Sequence, residues 1–172
     1  MSGTLCTRWG PGRLPYADHR GIGAGIAIGG MGVLVSLLWF GVAWILLATG
    51  LANTTLGFVF LMGLLVLPLA APFTVLAAII AWQKLYPSTK QQVYGALFGL
   101  AAGIVGLFAG SFGPSLVLFL SNVHRGEMAV FEAMGFFLLV PIAFVAALFA
   151  AGWFVLPLLA FAGWYHERAK GQ

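Results

Sequence analysis

Polar residues in this chain are confined to short stretches between four long apolar runs, at roughly 22–49, 56–82, 93–120 and 133–165. Each run exceeds the ~20 residues that a helix needs to cross the hydrocarbon of a bilayer. Tilt, kinks or protrusion past the hydrocarbon are expected to absorb the excess. The pattern predicts an all-α integral membrane protein with one domain of four transmembrane helices over 22–165. A polar, Pro/Gly-rich tail occupies 1–21 and a short tail 166–172.

The third run carries the clearest internal pattern. Gly95, Gly99, Gly103, Gly106, Gly110 and Gly113 are spaced 4, 4, 3, 4 and 3 residues apart. At about 100° per residue they fall within an arc of roughly 80°, a bare groove along one helix face. Phe98, Phe108, Phe112 and Phe119 cluster on the far side. Within lipid no hydrophobic force draws helices together, so close backbone contact through small residues takes its place. The first run repeats the stripe with Gly21, Gly25, Gly29, Gly32 and Ser36. We expect a glycine-zipper seam in which helices 1 and 3 pack parallel through these faces, within one chain or between two. Gly103→Leu should then be worse tolerated than Ala102→Leu, which lies about 100° round the helix.

Charge adds orientation. Only 7% of the 172 residues are charged and 62% are hydrophobic, with a mean hydropathy of +1.04. A pI near 9.7 does not signal nucleic acid here, because eight Lys and Arg scattered between apolar spans form no phosphate-binding patch. They read instead as topology signals. Arg8, Arg13, Arg20, Lys84, Lys90, Arg168 and Lys170 fall on one side and Arg125 alone on the other. Both termini are therefore expected in the cytoplasm, in a multi-pass protein of bacterial inner-membrane character. Tyr16, Tyr86, Tyr94, Tyr165, Trp82 and Trp164 cluster near that inner boundary, as an aromatic belt would. The lone Cys6 excludes an intrachain disulfide, and the first apolar run is too long for a cleavable signal.

The linkers read as helix punctuation. Asn53-Thr54-Thr55 can cap the second helix, and the segment from Pro87 to Gln92 ends one helix and opens the next. Val66-Leu67-Pro68-Leu69 recurs as Val155-Leu156-Pro157-Leu158, the trace of a parallel repeat of two hairpins or a chance match.

Three groups of residues can carry chemistry. The break around Ser111, Pro114 and Ser115 frees carbonyls near Gly110, which suits either an ion or substrate site or a simple hydroxyl-satisfied kink. Pro68 and Pro72, with Thr74 just beyond, form either a gate or a fixed bend around a neighbour. His124, Glu127 and Glu132 can share a metal at the outer surface, or serve as a solvated loop whose glutamates favour the next helix N-terminus. The other histidines, His19 and His166, belong on the opposite side, which leaves the outer set incomplete for a buried metal. No charged residue falls in the middle of any run, so proton relays and voltage sensing are not expected.

These features leave three functional classes. The first is a non-enzymatic subunit or accessory partner of a membrane complex, without cofactor, acting through glycine-lined faces on another membrane protein or a second copy. The second is a small carrier or channel for an uncharged or lipid-like solute, with helices 2 and 3 as moving parts. The third is a membrane enzyme with an outer-face His/Glu site.

Overall fold

The computed structural model describes residues 20–51, 54–85 and 92–170. The expectations for the N-terminal tail, for Asn53 as a cap, and for Tyr86 and 87–91 lie outside those residues. Helix α1 spans Arg20–Ala48 and α2 spans Thr54–Ile80, continuing as one π turn over Ala81–Leu85. The third run is two segments, α3 (Gln92–Gly110) and α4 (Phe112–His124). The fourth comprises a short α5 (Val130–Ala133), a 3₁₀ stretch (Met134–Leu139), α6 (Val140–Ala147), a π turn (Leu148–Gly152) and α7 (Trp153–Lys170). No strand occurs among the described residues.

Four stretches are long and apolar enough to cross a membrane: Gly21–Ala48, Gly57–Leu85, Gln92–His124 and Val130–Arg168. They run up and down, so Arg20 and Lys170 lie at the same end of the bundle, the near end. The His124–Val130 link marks the far end. Two glycines shape far-end turns. Gly50 and Gly126 both sit at φ +68°, the left-handed conformation that terminates a helix at little steric cost to glycine. After α4 the N–H of Glu127 closes on the Asn122 carbonyl at 3.0 Å, completing that stop.

Packing departs from the expected pairing. The glycine face of the third span does not meet helix 1. It is covered by α7 near the chain ends and by α2 over its far half. Helix 1 instead spends Gly21, Gly25 and Gly29 on Gln83, Ile79 and Val75 at the end of the second span. The physical reason is connectivity: short links make successive helices antiparallel neighbours, and α3 is flanked in sequence by helices 2 and 4. A stripe of six glycines is long enough to receive both.

The fourth helix also runs further than its apolar run. It continues to Lys170, so 166–170 extend α7 rather than form a tail. Trp82, expected in an interfacial belt, is instead among the largest fully buried side chains, at 1% exposure. The π turn at Ala81–Leu85 adds a residue to the helical turn and so rotates this segment relative to α2, which changes the face on which the indole lies.

Candidate functional site

The near end holds a close backbone contact between α3 and α7. A Cβ on Gly95 would lie 2.5 Å from the Gly163 carbonyl oxygen, and one on Gly163 would collide with that of Gly95. Gly99 meets the Leu159 carbonyl, and Gly103 meets the Leu159 and Leu156 side chains. The two backbones therefore touch, an approach only glycine permits. Farther along, Gly106 faces Thr74 and the Ala70 carbonyl, Gly110 the Val66 carbonyl and Gly113 the Leu65 carbonyl.

Above the Gly95–Gly163 contact stands a carboxylate. Glu167, four residues after Gly163 on the same helix face, is 5% exposed and accepts a hydrogen bond from Trp82 Nε1 at 2.7 Å. Trp82 is met edge-on by Phe98 at 5.7 Å and by His166 at 6.2 Å between ring centroids. The hydrogen bond joins the second and fourth spans, and Phe98 brings the third span against the same indole. Glu167 and Gly163 were missed in the sequence because they lie at and beyond the end of the apolar run. Their four-residue spacing, continuing back to Leu159, was the available signal.

The hydroxyl and proline candidates separate. Thr74, Ser111 and Ser36 are buried, and each donates to the carbonyl four residues back, Ala70, Leu107 and Gly32 respectively. Ser115 is 1% exposed, and its Oγ has no hydrogen-bond partner. Pro114 is buried beside it. Pro68 and Pro72 face outward, away from Thr74, which lies on the α3 side of the same helix. Neither of the recesses between α1 and the fourth span is lined by Thr74, Ser111 or Ser115.

At the far end, His124, Glu127 and Glu132 are exposed. Glu127 faces Arg125 at 3.7 Å, and Glu132 Oε2 accepts the Ala129 N–H at 3.3 Å at the start of α5. Among the described residues no three His, Cys, Asp or Glu side chains converge as a metal set would.

Two recesses lie along the seam between α1 and the fourth span, the first of them bordered also by α2. Toward the far end a recess of about 460 Å³ is walled by Leu38, Trp39, Val42, Val59, Phe60, Phe149, Ala150, Trp153 and Phe154. The π turn at Leu148–Gly152 contributes Phe149 and Ala150 to it. Trp39 fills the space beside Gly63 and packs against Phe60 in a tilted ring contact at 5.2 Å between centroids. On the rim Phe149 is 82% and Trp153 69% exposed. A second recess of about 340 Å³ lies toward the near end, where a Cβ on Gly30 would meet nothing within 4 Å.

Four apolar helices of crossing length, packed as neighbouring hairpins, define a multi-pass membrane protein. No family model, no curated protein and no solved structure matches the chain, so the functional reading stands on its own residues.

Proposed function

We propose that the chain is a non-enzymatic multi-pass inner-membrane protein that acts as a subunit or assembly partner of another membrane protein. Both chain ends lie in the cytoplasm, in keeping with the basic residues gathered at the near end. The observation that carries this reading is the far-end recess: an apolar, aromatic-walled hollow with two large exposed rings on its rim, open toward the bilayer. In lipid such a hollow gains van der Waals contact by receiving the side chains of another transmembrane helix. This moves the partner surface from the glycine stripes, which the chain itself covers, to the seam between α1 and the fourth span.

A carrier for a lipid-like solute is the second reading, and the predominantly apolar lining of the same recess favours it. Passage through the middle of the bundle has less support, since Thr74, Ser111 and Ser115 are packed into the helix seam. The test is purification from native membranes in mild detergent, with identification of what accompanies the chain. Phe149→Ala with Trp153→Ala should remove one defined membrane protein from the preparation. If it removes only lipid, the carrier reading replaces the first; an unchanged preparation contradicts both.

A further inference from the structure

The near-end recess differs from the far-end one in what stands at its mouth. Ala27, Gly30 and Leu34 of α1 face Phe161, Ala162 and Tyr165 of α7 across it. Gly30 leaves the floor open, and nothing among the described residues fills the space above it. Phe161 packs on Trp164 at 5.7 Å and on Tyr165 at 6.2 Å, so the α7 wall is a firm aromatic surface. Arg168 continues the Phe161 and Tyr165 face by one turn, and its guanidinium lies 5.1 Å from the Trp164 ring centroid. Lys84 is exposed at the same end. The acidic residue described at this end, Glu167, is buried and receives the Trp82 N–H. Arg168 thus stands one turn beyond a recess whose lining is apolar.

We propose that this recess holds an anionic phospholipid of the near-end leaflet, one acyl chain lying over Gly30 and the phosphate at Arg168. Charge complementarity selects the occupant. A guanidinium presents a fork of donors to phosphate oxygens, and basic hollows between transmembrane helices suit anionic headgroups.

The experiment uses the full chain in mild detergent, with equimolar dioleoylphosphatidylglycerol and dioleoylphosphatidylcholine added, read by native mass spectrometry. One phosphatidylglycerol per chain should be retained in preference to phosphatidylcholine. Arg168→Gln should cut that preference about fivefold, the worth of one basic residue near a charged membrane surface. Gly30→Leu fills the floor without a clash and should abolish retention of both lipids while leaving the melting temperature of the lipid-free chain unchanged. Equal retention of the two lipids by the wild-type chain would overturn the proposal, as would undiminished retention by Gly30→Leu. Soluble glycerophosphoglycerol should give no melting shift; a shift equal to that from the lipid would mark a free phosphate site and overturn the lipid reading.

Discussion

Trp82 and Glu167, 85 residues apart in the chain, are joined by a 2.7 Å buried hydrogen bond from the indole N–H to the carboxylate. The bond ties the end of the second span to the end of α7 just above the point where the α3 and α7 backbones touch. Trp82→Phe keeps a ring in place and removes the donor. A buried carboxyl deprived of its donor costs about 1–3 kcal/mol, so the melting temperature in mild detergent should fall. Glu167→Gln keeps an acceptor oxygen and should cost less. Wild-type melting of Trp82→Phe would mean that the bond contributes nothing to the bundle.

Close backbone approach makes the second prediction. Gly163→Leu drives a side chain into the Gly95 carbonyl, where neither helix can yield without parting. Overpacking of this kind costs about 1–3 kcal/mol or more. Gly30→Leu enters open space and should stay within about ±0.5 kcal/mol. Thermal melting of the two variants side by side separates them; equal tolerance would contradict the α3/α7 contact.

How far the sequence carries is visible at these same positions. The four apolar runs and the buried glycine arc of the third were legible, because length and a 3.6-residue period survive any choice of neighbour. The neighbour was not legible. A stripe of small residues specifies close approach but not who approaches, and chain connectivity settled that in favour of helices 2 and 4. Ala102 shows the consequence: at 2% exposure it too is enclosed, so it is no mild control for Gly103. Trp82 and Glu167 were hidden for another reason. A π turn and a helix running past its apolar stretch are local geometries that hydropathy does not register.

The far-end loop should tolerate change. His124→Ala with Glu127→Gln and Glu132→Gln removes one exposed ion pair and one exposed capping contact. Each substitution should shift stability by no more than about 0.5 kcal/mol. Loss of a bound metal or of an enzymatic activity in the triple variant would return the His/Glu site to consideration.

Orientation is testable by fusion. A reporter that folds only in the cytoplasm, attached after Gln172, should be active if the basic residues at the near end face inward. A translocated reporter would reverse the bundle and place the proposed lipid in the other leaflet.

The partner reading meets its most direct test in native membranes, with a photo-crosslinking side chain replacing Phe149 on the recess rim. Val105, 50% exposed on α3, serves as the control. The account predicts one discrete protein adduct from position 149, absent from position 105 and lost when Trp153 is changed to Ala. Lipid adducts alone from both positions, with no protein band at 149, would contradict it.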